Sequence, residues 1–87
     1  MAAYVTGSAY WAEYQVKSFC EDQVVVGGPS EGIAAVAAAL GFRVRWGPTR
    51  DAAIGLILIY RDTALTTYYC DVQHIDGKVV WKTTGSF

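Results

Sequence analysis

His74 is the only histidine in the chain, and Cys20 and Cys70 are the only cysteines. These are the side chains best suited to nucleophilic or metal chemistry. A Cys–His dyad needs both groups within hydrogen-bond reach. Cys70 and His74 fall in one alternating segment, where four residues of strand separate them by about 13 Å. No His/Cys spacing typical of a metal site is present. His74 therefore reads as a half-exposed strand-end residue beside the Asp76-Gly77 dipeptide, and no metal or cofactor is expected.

The two cysteines have a structural use open to them. A disulfide closing a loop of about 50 residues would add roughly 4 kcal/mol. Small secreted domains that depend on disulfides usually carry several, however, and Met1 to Ser8 shows neither the basic nor the apolar stretch of a leader. The expectation is two reduced, buried thiols in a cytoplasmic protein.

The segment Val24-Val25-Val26-Gly27-Gly28-Pro29-Ser30-Glu31-Gly32 has the order of a phosphate loop: strand, glycine-rich turn, helix start. It lacks the Lys-Ser/Thr pair of a nucleotide-binding loop and the three spaced glycines of a dinucleotide fold, and Glu31 brings a negative charge. It reads as a tight connection into a capped helix. Arg43, Arg45 and Arg50, with Trp46 among them, have the mixed basic and aromatic character of a single-strand nucleic-acid grip. Seven basic against eight acidic residues leave a net charge of -1, which argues against nucleic acid as a partner.

Six Tyr, three Trp and three Phe in 87 residues are the strongest hint of a ligand. Tyr68, Trp81, Trp46 and His74 form the candidate small-molecule site, facing the space under an alanine-rich helix, with an apolar ligand expected. The acids offer little to catalysis. Glu21, Asp22, Asp62 and Asp76 fall in turns, Glu31 at a helix start, Asp51 in a loop, and Glu13 and Asp71 on wet strand faces. No acid is set by pattern in the core, where its pKa would shift.

These residues must be positioned by few elements. The length suits a single domain, 1–87, and 53% apolar against 17% charged residues describes a chain that folds. Ala52 to Tyr60 is too short to span a bilayer, so no membrane is expected as a partner. Ile33 to Leu40 is a helix, with Ser30 as its cap and Gly41 at its end. From Tyr10 to Lys17 the pattern alternates as a strand, with a helix starting at Ser8 as the alternative. Val24–Val26, Phe42–Trp46, Ala53–Tyr60 and the segments flanking Asp76-Gly77 complete the strands. The fold class is α+β: an antiparallel sheet of about five strands with one Ala-rich helix on one face, in the order ββαβββ.

The Asp76-Gly77 hairpin predicts pairs Ile75–Lys78, His74–Val79, Val72–Trp81 and Asp71–Lys82. Val72, Cys70 and Tyr68 then face the core with Trp81, joined by Ile57 and Ile59. Ile54, Leu56, Leu58, Tyr60, Leu65, Tyr69 and Val80 gather on the opposite face. One short helix cannot cover both faces, so this second set is the expected oligomer interface, with a second copy of the chain as partner. The function expected is a non-enzymatic, homo-oligomeric module binding a small apolar molecule or a protein. The alternative is a cofactor-free lyase or isomerase using tyrosine and carboxylate groups in a sheet–helix cavity.

Overall fold

The computed structural model describes the backbone of residues 2–48 and 54–87, and the side chains of residues 11–47 and 54–87. Among the described residues the fold is α+β, with two helices followed by four strands: α1 (Ala2–Gln23), α2 (Ile33–Ala39), β1 (Arg43–Pro48), β2 (Gly55–Asp62), β3 (Thr67–Ile75) and β4 (Lys78–Ser86). The strands form one antiparallel meander in the order β1-β2-β3-β4. Both helices lie on the same face of it, where Val16, Phe19 and Cys20 of α1 and Ile33 and Ala37 of α2 meet Ile57, Ile59, Cys70, Val72 and Val79.

The expected five-stranded ββαβββ order is thus corrected at the N-terminus, where the first strand is a helix. Tyr10, Ala12, Tyr14 and Val16 alternate, but the residues that are buried are Ala12, Val16, Phe19 and Cys20. Their spacing of four, three and one is one stripe of a 3.6-residue helix. Tyr14, on the same strand face by alternation, is instead 62% exposed. Val24–Val26 is a connection rather than a strand. It leads into a loop that edges β4, through Gly27 N–H to Val79 C=O (2.7 Å), Val79 N–H to Gly28 C=O (2.9 Å) and Ser30 N–H to Gly77 C=O (2.8 Å).

Ser30 does not cap α2. Gly32 takes the N-cap position in the left-handed region, at φ 86°, and no side chain bonds the helix start. Ser30 is buried and its backbone is engaged with the β3–β4 hairpin. The other end follows expectation. Gly41, at φ 88°, donates to the Ala38 carbonyl, and Phe42 donates to the Ala37 carbonyl. This is the Schellman arrangement that favours glycine.

The β3–β4 turn has positive φ at both Asp76 and Gly77, as a type I′ turn requires. Ile75 pairs with Lys78 and His74 with Val79, as expected. Beyond them a bulge intervenes: Gln73 pairs with Trp81, Val72 with Lys82 and Asp71 with Thr83. Val80 is the extra residue, and it inverts the facing of the rest of β4. Trp81 therefore leaves the core face for the outer one, and the expected Asp71–Lys82 pair is replaced.

Lys82 gains another role. Its ammonium donates to the Cys20 carbonyl (2.8 Å) and to the Val24 carbonyl (2.5 Å), at the end of α1. The last turn of α1 holds no basic residue, so a strand supplies the cation that unsatisfied carbonyls and the helix dipole favour. Lys82→Met should cost about 2 kcal/mol, from the loss of charge-assisted bonds. Urea unfolding measures it, and a loss below about 0.5 kcal/mol, the scale of an ordinary surface substitution, would contradict the role.

Cys20 and Cys70 are joined in a disulfide, with their α-carbons 5.8 Å apart. Both are buried, as expected, at 2% and 0% exposure. The expectation of reduced thiols is corrected: helix formation by residues 12–20 turns Cys20 onto β3, where Cys70 faces the same core. Arg61 is a second tie between layers. It donates to the Gln15 side chain and to the Leu40 carbonyl (3.2 Å), and its guanidinium lies over the Phe42 ring, 4.5 Å from the centroid.

Candidate functional site: the outer face of the sheet

Strand register decides which residues can act together. In the β1–β2 pairing Arg45 lies opposite Leu58, Arg43 opposite Tyr60 and Gly47 opposite Leu56. In the β2–β3 pairing Leu58 lies opposite Asp71, Tyr60 opposite Tyr69 and Leu56 opposite Gln73. With Thr83 and Trp81 beyond, these residues share the face that carries no helix. Leu56, Leu58, Tyr60 and Tyr69 are half-exposed, and Val80 and Trp81 are 43% and 44% exposed. Phe87 stacks on Tyr69 with ring centroids 4.8 Å apart, extending the apolar surface toward the end of the chain.

Within this face sits one acid in a poor environment. Asp71 Oδ1 is buried and has no hydrogen-bond partner among the described residues. Burial pushes the carboxyl above the usual carboxylate range, since desolvation penalises the charged form. On the same cross-strand row, Arg45 is exposed and engages no partner among the described residues. Arg43, one row on, faces Asp62 at 3.8 Å. Arg43, Arg45, Leu58, Tyr60, Asp62, Thr67 and Phe87 line a shallow groove along this end of the face.

The four residues expected to form a ligand site are dispersed. Tyr68 packs against the core under the helices. Trp46 shares the helix side of the sheet, by its pairing with Ile57, but is 66% exposed. His74 is on that side as well, six residues along β3 from Tyr68, or about 20 Å of strand. Its ring lies so close over Gly55 that a β-carbon there would strike it. Trp81 is on the opposite face. Between the helices and the sheet lie the buried side chains of the core.

The residues expected at an interface are brought together better. Leu56, Leu58, Tyr60, Tyr69 and Val80 share the outer face. Ile54 precedes β2 and is half-exposed. Leu65 stands off the face, 77% exposed, because β2 and β3 are joined by a longer loop than a tight turn. That loop is closed by Thr63, whose N–H (2.8 Å) and hydroxyl (2.7 Å) both donate to the Thr66 carbonyl. Arg50 and Asp51 lie outside the described residues. Trp81, Asp71 and Arg45 belong to the outer face without having been expected as part of an interface. The bulge hid Trp81, while the alternation of Phe42, Val44 and Trp46 with Arg43 and Arg45 already assigned the arginines to the other side.

Among the described residues no group of three or more His, Cys, Asp or Glu side chains could hold a metal ion, and no helix is long and apolar enough to cross a membrane. Comparison with protein-family models, curated proteins and solved structures finds no match to the chain.

Proposed function

We propose that the protein is a non-enzymatic, self-associating binding module whose working surface is the outer face of its sheet. The observation that carries this reading is the apolar row of Leu56, Leu58 and Tyr60 along β2 with Tyr69 beside it, flanked beyond Gln73 by Val80 and Trp81, on the face opposite both helices. Contiguous apolar surface of this kind marks interaction sites in stable proteins. A second copy stacking sheet on sheet, about 10 Å away, would bury it. A catalytic reading has less support: Tyr68, the tyrosine expected under the helix, packs against the core on the face of β3 opposite Asp71.

The Cys20–Cys70 cystine supports an oxidising compartment rather than the cytoplasm as the working environment, because cytosolic thiol pools reduce such bonds. The self-association is tested by sedimentation of the wild type and of Leu58→Glu. The wild type should sediment as a concentration-dependent oligomer and the variant as a 9.5 kDa monomer, with an unchanged far-ultraviolet spectrum. A wild type that remains monomeric, or a variant that associates as well as the wild type, would overturn the reading.

A further inference from the structure

Resting on that reading, we infer that the partner is a second copy of this chain docked about a two-fold axis that runs along β2 over Leu58, so that Arg45 of each copy meets Asp71 of the other. In a face-to-face pair of identical sheets the axis lies in the interface plane, and each residue meets the one that the axis exchanges with it. Strands are about 4.8 Å apart. An axis over β2 exchanges β1 with β3 and returns β2 to itself. Arg45, Leu58 and Asp71 occupy one cross-strand row, so Leu58 packs on its own copy and each arginine faces a carboxylate.

Charge selects this axis over its neighbour. An axis midway between β2 and β3 exchanges those two strands and sets Leu58 on Asp71. It would bury the acid against a leucine, with no compensating charge, which is strongly unfavourable. The axis over β2 instead brings a cation to the partly exposed Asp71 carboxylate, one of whose oxygens is buried without a partner among the described residues, and draws it from an arginine that engages none of them. Like charges are kept apart as well, since neither Arg45 nor Asp71 meets its own copy. The arginine side chain is long enough to reach across the gap of about 10 Å between packed sheets.

Three overlapping strands cover roughly 14 by 25 Å, with Trp81 of each copy overhanging the outer edge of the partner's β1. That footprint, about 350 Å² on each copy, is below the range of stable specific interfaces, so weak, transient association, at about 100 µM, is expected rather than a permanent dimer.

The deciding experiment is sedimentation equilibrium over about 5 to 500 µM, a range that brackets micromolar association, on the wild type, Arg45→Glu, Asp71→Lys and the double reversal. Arg45→Glu, at an exposed position, should weaken association about tenfold or more, and Asp71→Lys likewise. The double reversal should recover most of the loss. If Arg45→Glu associates as the wild type does while Leu58→Glu does not associate, the face is correct and this axis is wrong. If both associate unchanged, or the wild type does not associate, the proposed function fails with it. Should Asp71→Lys lose its folded spectrum, Arg45→Glu alone decides, because its side chain has no partner within the described chain to lose.

Discussion

Reducing the Cys20–Cys70 disulfide is expected to lower unfolding free energy by about 4 kcal/mol. The bond spans 50 residues of sequence, more than half the chain, and so removes a large part of the freedom of the unfolded state. For 87 residues a total stability of roughly 4 to 13 kcal/mol is ordinary, and small domains bury little of their surface. The loss is therefore between a third of the stability and all of it. Urea unfolding in the presence and absence of a phosphine reductant, with free thiols titrated at the end, measures the difference. The Cys20→Ala/Cys70→Ala variant should fall near the reduced protein. A reduced protein with an unchanged midpoint would show that the native packing holds α1 on the sheet without the bond.

The second large effect contrasts two neighbours on β2. Ile59 is fully buried, lies opposite Cys70 and belongs to the core under the helices. Ile59→Ala should cost 3 to 4 kcal/mol, from lost transfer free energy and the cavity left behind, at every protein concentration. Leu58, one residue earlier, points the other way. In an isolated chain Leu58→Ala should cost below about 1 kcal/mol, as a partly exposed side chain does. In a self-associating protein its cost grows with concentration, because binding only to the folded state stabilises that state by mass action. Thermal unfolding at about 5 and 500 µM, spanning micromolar association, separates the two behaviours. If the melting temperature of the wild type does not rise with concentration, self-association contributes nothing to stability.

Much of the sheet was legible because its signals were local. Asp76-Gly77 fixed the β3–β4 turn, and alternation along β2 sorted Ile57 and Ile59 from Leu56, Leu58 and Tyr60. Those faces survived a wrong turn length: pairing Tyr60 with Leu65 or with Tyr69 leaves the parity the same. Two features resisted for physical reasons. Positions four apart on one side of a helix are also on one side of a strand, so Tyr10 to Val16 fitted both patterns. The helical spacing emerges only when Phe19 and Cys20 are included. The Val80 bulge has no local marker of its own, because its sequence, Val79-Val80-Trp81, is ordinary strand. What discloses it is Lys82, a cation that the uninterrupted register would leave beside Asp71 and that the end of α1 draws inward. The cystine followed the same logic, since it became possible only once residues 12–20 were helical.

That one extra residue in β4 also sets how this protein can change over time. Upstream of Val80, Lys78 and Val79 keep their facing whatever follows them, because the turn sets it. Downstream, every side chain depends on the count of residues before it rather than on its own identity. Losing a single codon at Val80 would drive the Trp81 indole toward the end of α1 and swing the Lys82 ammonium onto the apolar outer face, unsettling helix and surface together. No single substitution repairs both. Sequence drift in this stretch should therefore be conspicuous in residue type and nearly absent in length.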